Sequence, residues 1–171
     1  YTGWGDAVDA STVTLEPGLW SLSNWGGVLV ATVSNGKTFT WDSTIAARFT
    51  TRASTTTTSY VTALTGDFGN PTASRLSLIS PTTRHLIHLG TETTIGTAAS
   101  QDDMFLRFSD QEAINTYAPS ATNSAGTYRL QDGSKIMGGI VAKENILIWT
   151  DNALYSMKFV GAPYTFGFEQ V

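Results

Sequence analysis

Short apolar or alternating runs, each closed off by Gly, Asn, Asp or Pro, dominate the hydrophobic pattern of this chain, and helical periodicity is nearly lacking. The clearest runs are residues 27–34, with Val28, Leu29, Val30, Ala31, Thr32 and Val33 in succession, and residues 37–41. Asn35-Gly36 between them has the composition of a two-residue type I′ turn, in which both central residues take positive φ. Further strands are expected at residues 75–79, 84–89 and 104–108. A three-stranded meander is expected over residues 135–160, with Lys143-Glu144 and Asp151-Asn152 as its turns. Residues 109–115 are the one place where a short helical turn fits, with Ser109 or Asp110 as its N-cap. Residues 50–59, nearly all Thr, Ser, Ala and Arg, suit an exposed edge strand or a loop equally.

The apolar runs that start at Val28, Leu86 and Ile146 recur about every 60 residues, each followed by a second strand. Aligning Phe108-Ser109-Asp110 with Trp149-Thr150-Asp151 gives a spacing of about 40 instead, so the register stays open. Either way the expected class is all-β: antiparallel meanders of the kind that form propeller blades, in approximate units 15–60, 75–117 and 125–171. Three blades do not close a ring. The chain starts at Tyr1 and stops within a strand-like run, Phe166 to Val171, so a fragment cut at both ends from a longer polypeptide is expected.

Composition narrows the functions open to such a fold. Charged residues make up 14%, against roughly 25% in soluble domains, and Thr, Ser and Gly take their place. β-branched Thr fits a pleated surface, and a low-charge surface suits contact with neighbouring subunits. The net charge is −4 with no basic patch, which argues against sequence-specific nucleic-acid binding. A mildly acidic wall beside DNA remains compatible, because repulsion lets a polyanion slide past. The chain has no cysteine, which removes disulfides, thiolate metal sites and cysteine nucleophiles, and fits synthesis in a cytoplasm. No apolar run reaches membrane-spanning length.

Catalytic chemistry finds no foothold. His85 and His88, the two histidines, stand three apart on an expected strand and point to opposite faces, so they do not share a metal; one packed and one exposed ring is the expectation. Asp102, Asp103, Asp110 and Glu112 flank one strand, and as sequence neighbours they do not supply the facing carboxylates of a glycosidase. Asp42, Asp110 and Asp151 each follow an aromatic strand end and read as Asx-turn acceptors. There is neither a nucleophile elbow nor a phosphate-binding glycine loop. No catalytic residue, metal ligand or cofactor site is therefore assigned. Of the five tryptophans, Trp20, Trp41 and Trp149 fall in expected strands, where core packing is the default. Trp4 and Trp25 are the candidates for stacking on a ligand such as a sugar.

Two stretches carry a family resemblance. One runs from Leu19-Trp20-Ser21-Leu22 through Trp25-Gly26-Gly27-Val28 to Thr38-Phe39-Thr40-Trp41-Asp42. The other runs from Ala125-Gly126-Thr127-Tyr128 through Asn145-Ile146-Leu147-Ile148-Trp149-Thr150-Asp151 to Phe159-Val160-Gly161. With Arg84 to Gly90 and Leu106 to Glu112 between them, the series resembles virion structural proteins of tailed bacteriophages. The resemblance is to the tail nozzle (tail tubular protein B-like) and packaged-DNA stabilisation β-propeller proteins. It implies a non-enzymatic scaffold made in the host cytoplasm and built into the virion tail beside other tail proteins. It also implies a homo-oligomeric ring, commonly of six subunits, around a conduit for genome exit. In such a conduit Asp102, Asp103, Glu112 and Asp151 are the candidates for facing the lumen. The alternatives are a glycan- or receptor-binding β module of a tail spike or adhesin, which would use exposed Trp4 or Trp25, and a polysaccharide-degrading propeller, which needs two or three converging carboxylates.

Overall fold

A computed structural model describes residues 19–42, 62–63 and 70–171. These residues form twelve strands and one 3-10 turn, Ala98–Ser100. The first sheet holds β1 (Trp20–Trp25), β2 (Val28–Val33), β3 (Thr38–Asp42) and β4 (Thr62–Ala63). The middle sheet holds β5 (Ser74–Ile79), β6 (Leu86–Thr91), β7 (Phe105–Phe108) and β8 (Gly126–Arg129). The third holds β9 (Ile136–Val141), β10 (Asn145–Thr150), β11 (Leu154–Gly161) and β12 (Thr165–Gln170). Every sheet is a four-stranded antiparallel meander in which sequence neighbours pair, so the fold is all-β.

Side-chain alternation stacks the three sheets. In β6 all six residues are buried, because both faces of the strand are covered. Leu86 points to the first sheet, where it meets Val30 and Tyr117. Ile87 and Leu89 point the other way, into a core with Leu106, Phe108, Ile136, Ile146, Ile148, Tyr155, Met157 and Phe166. The first strands of the sheets also touch in order, β1 against β5 and β5 against β9. β9 comes close because Gly139 has no side chain; a Cβ there would stand 2.8 Å from Leu78 Cδ1 and 3.0 Å from Leu89 Cδ1.

The structure departs from the sequence pattern at several points. The β2–β3 hairpin forms, but its turn is not type I′. Gly36 N–H donates to Val33 O at 2.9 Å, which places Ser34 and Asn35 in the centre, and Asn35 alone of the pair Asn35-Gly36 is left-handed, at φ 58°. Gly36 is instead bridged to Ser74 at the start of β5, where Ser74 N–H donates to Gly36 O at 3.1 Å. Residues 109–115 are not helical. Asp110 pairs with Ala113 in a tight turn with Glu112 at φ 58°, and the Asp110 carboxylate is taken up by Gln111 N–H and by the N–H and hydroxyl of Ser124. The pattern places residues 125–130 in the third unit, yet β8 pairs with β7, Gly126 opposite Phe108, and so completes the middle sheet. Both histidines are buried, His88 in β6, which has no open face, and His85 just before it against Phe108 and Phe166. Trp20 and Trp149 lie on the outward faces of the end sheets instead of in a core. Residues 50–59 and Trp4 lie outside the described residues.

Candidate functional site

The polar side chains gather in two grooves at opposite ends of the strands. One, of about 690 Å³, is lined by Asn35, Arg75, Gln101, Asp102, Asp103, Arg129 and Lys135. The start of β5, the loop before β7, the end of β8 and the approach to β9 all arrive there, so each sheet contributes to its rim. Two ion pairs lie on its wall. Arg75 Nη1 donates to Asp103 Oδ1 at 3.1 Å, and Arg129 Nε to Asp102 Oδ2 at 2.8 Å. Asp102 Oδ1 accepts from Met104 N–H at 2.9 Å. Partial burial opposes ionisation of Asp102, but the Met104 amide and Arg129 outweigh it and hold the carboxyl below its ordinary value. Gln101 Nε2 ties the loop to Gly90 O at 2.8 Å and to Asn35 Oδ1 at 3.1 Å.

Asp151 belongs to this end too, since its N–H donates to Lys135 O at 3.1 Å. Its carboxylate accepts from Ser134 Oγ at 2.5 Å and Ser134 N–H at 2.8 Å, which holds it below the usual carboxylate value. Asp151 is therefore not the acceptor of the turn that follows it. Thr150 Oγ1 fills that role, accepting from Ala153 N–H at 2.9 Å. Asp110 does accept from its following residue, Gln111, at 2.9 Å, while the Asp42 side chain lies outside what is described.

The second groove, about 490 Å³, lies between the β1–β2 turn, the β5–β6 turn and the end of β9, with Asn24, Pro81, Arg84 and Val141 on its walls. Arg84 lies 5.2 Å from the centroid of the Trp25 ring and forms an ion pair with Glu112 at 3.0 Å. Trp25 is half-buried against the Val30, Leu86 and Tyr117 cluster, so the guanidinium occupies a ring that a ligand would need to stack on. Of the four acidic candidates, Asp102, Asp103 and Asp151 thus share one end and Glu112 stands at the other. Asp102, Asp103 and Glu112 each carry an arginine partner.

The histidines serve packing. His88 Nδ1 is 3.0 Å from Ser74 Oγ, and its Nε2 is 3.0 Å from Tyr117 Oη. Burial, with the charge of Arg107 adding to it, lowers its pKa to about 3. His85 bonds Thr83 Oγ1 at 2.7 Å and Ser124 Oγ at 3.0 Å, edge-on to Phe108 and Phe166. Burial lowers its pKa to about 4, against a smaller upward pull from Asp110. Both rings are neutral at neutral pH. Among the described residues no group of three His, Asp or Glu side chains could hold a metal ion.

Pattern reading missed Glu92, a fully buried carboxylate. Its Oε1 accepts from the N–H and hydroxyl of Thr72 and its Oε2 from Gly96 N–H at 2.6 Å and Thr97 N–H at 3.2 Å. Arg107 Nη2 donates to the Glu92 and Thr93 carbonyls at 3.2 and 3.1 Å. The pair organises the loop between β6 and β7. A single acid set between threonines, Thr91-Glu92-Thr93, is the one signal the sequence offers for it. In comparisons with known proteins, no family model and no curated protein matches the chain.

Proposed function

We propose that this chain is a non-catalytic structural module of propeller blades in the tail of a tailed bacteriophage, a nozzle- or hub-like part that joins other tail proteins. The observation that carries the reading is the succession of three four-stranded meanders whose first strands, β1, β5 and β9, abut in order while the sheets stack face to face. The chemistry of the polar groups supports it. Asp102, Asp103 and Glu112 are spent on ion pairs, Asp151 and Glu92 on backbone amides, and both histidines on buried hydroxyls. That is the inventory of a scaffold, in which rigid loops matter and reactive groups do not. The phage assignment itself rests on the sequence resemblance. Within it, a place on the wall of the genome conduit fits best at the groove end that carries Asp102, Asp103 and Asp151.

Immunogold electron microscopy of virions from a phage whose genome encodes the chain tests the proposal. Label is expected at the tail. Label on the capsid, or particles without the chain, would overturn it.

A further inference from the structure

The β2–β3 turn leaves little choice of residue at two successive positions. Asn35 is exposed and left-handed, at φ 58°, a conformation that Asn adopts more readily than most residues with a side chain. At Gly36 any Cβ would run into Val33 Cγ1, so glycine is required by the close approach. Together the two demands produce the one Asn-Gly pair in the chain. That pair is also the most self-reactive setting for an asparagine, because glycine has no side chain to shield its nitrogen from the preceding carboxamide.

The reaction needs only water. Gly36 N loses its proton to a solvent base and bonds Asn35 Cγ. The Cγ–Nδ2 bond breaks, and the nitrogen leaves as ammonia with that proton returned to it. Water then opens the succinimide. Attack at Cγ breaks its bond to Gly36 N and gives aspartate; attack at the main-chain carbonyl gives isoaspartate.

In the folded chain both participants are held. Gly36 N–H donates to Val33 O at 2.9 Å, and Gly36 O accepts from Ser74 N–H at 3.1 Å, so the nucleophile is engaged and its residue is pinned to β5. Asn35 Oδ1 accepts from Gln101 Nε2 at 3.1 Å. Gln101 is fixed in turn, since its Nε2 also donates to Gly90 O at 2.8 Å and its backbone is bridged to Glu92. We propose that Asn35 is a self-modification site that the fold keeps closed, and that Gln101 is the positioning residue that closes it by holding the Asn35 carboxamide against the loop between β6 and β7. Once open, the site would alter the seam between the first and middle sheets. Aspartate adds a carboxylate to the groove that carries Asp102 and Asp103, and isoaspartate adds a carbon to the main chain beside the Gly36–Ser74 bridge. The Gln101 link thereby sets the chemical lifetime of that seam, a role beyond the scaffold reading.

Mass spectrometry of digests, taken over a time course at mildly alkaline pH, gives the rate of aspartate and isoaspartate formation at each asparagine. Each hydrogen bond that must break on the way to the ring slows closure, so Asn35 in the folded protein is expected to react at least about tenfold more slowly than in the same protein unfolded in guanidinium chloride. Equal rates overturn the proposal. Gln101→Met keeps the bulk of the side chain and removes the donor, and Gln101→Ala is the second variant should Met disturb the loop. In the folded variant the rate at Asn35 is expected to rise several-fold while the rates at Asn123 and Asn152 stay as in the wild type. An unchanged rate at Asn35 overturns the role of Gln101. So does an equal rise at all three asparagines, which would mean a general loosening of the fold. None of these outcomes depends on where the chain sits in a virion, so failure here and failure of the tail assignment are told apart.

Discussion

The middle sheet is covered on both faces, and the two covers differ in chemistry. Toward the third sheet it presents Ile87, Leu89, Leu106 and Phe108, and the opposing strands answer with Ile136, Ile146, Ile148 and Met157. Toward the first sheet, hydroxyls dominate. Thr32 Oγ1 lies 2.6 Å from Ser77 Oγ and 2.7 Å from Thr38 Oγ1, and Ser77 N–H donates to Ser21 Oγ at 3.0 Å. His88, Ser74 and Tyr117 add a second buried chain of polar groups. The apolar contact draws its stability from area and tolerates any side chains that fill the space. The hydroxyl contact gains less per group, but it fixes one register, because a sheet that slips leaves buried donors and acceptors unpaired. Adjacent sheets of similar shape thus adhere by two different devices.

The largest effect should come from the apolar contact. Leu89→Ala or Ile148→Ala removes a fully buried side chain from a packed cluster, and a loss of about 2–5 kcal/mol in unfolding free energy is expected by urea titration. A loss below about 1 kcal/mol would mean that the sheets do not pack as described. Acid comes next and acts on both faces, since His85 belongs to the apolar side and His88 to the polar one. Both pKa values are depressed in the folded chain, to about 4 and about 3, from 6.5 when unfolded. The unfolded chain therefore binds more protons in between, and stability rises with pH. The contribution is fully present above about pH 6.5 and lost as pH falls from there toward 4 and then 3. Below the ordinary carboxylate range the depressed Asp102, Asp110 and Asp151 add a further loss. The urea midpoint should fall from pH 7 to 4.5, before most carboxylates titrate; a flat profile there would place the imidazoles in solvent.

On the polar side the single effects are smaller. Tyr117→Phe leaves His88 Nε2 without its partner inside the fold, and a loss of about 1–3 kcal/mol is expected. The double change Thr32→Val with Ser77→Ala removes both partners of one hydroxyl pair and should cost less than the sum of the single changes, which a double-mutant cycle measures.

This difference between the faces also explains how much could be read in advance. The strands of the apolar core stand out in sequence, because Leu86-Ile87-His88-Leu89 and Ile146-Leu147-Ile148-Trp149 are dense and bounded by turns. The all-β class and the meander of β9 to β11 follow from them. β8 was not assignable to its sheet: Gly126 to Arg129 is polar outside and packs Gly126 under the Phe108 ring, a contact with no local signature. The helical turn expected at 109–115 lost to a long-range bond, Asp110 with Ser124 fourteen residues on. The grooves were legible only as acids. Their arginine partners, Arg75, Arg84 and Arg129, come from 27 or 28 residues away, where no spacing rule operates. The outward Trp20 and Trp149 misled for a related reason, since an apolar residue on a strand reads the same whether its face is covered within the chain or left open.

The smallest effect lies at the groove that joins all three sheets, where the ion pairs are partly solvated. Arg129→Gln removes the partner of Asp102 but leaves the Met104 amide on its other oxygen. Exposed pairs contribute little, because solvent screens them and two side chains must be held still, so a change of about 0.2–1 kcal/mol is expected. Asp102→Ala should cost more than Arg129→Gln, because it also leaves the N–H that begins the turn into β7 without its acceptor. The ranking discriminates between two roles for this carboxylate. If Arg129→Gln proved the more damaging, and the damage fell steeply with added salt, the ion pair would be what fastens β8 to the loop before β7. If Asp102→Ala is worse and nearly salt-independent, the carboxylate acts first as a backbone acceptor, as Asp110, Asp151 and Glu92 do elsewhere in the chain.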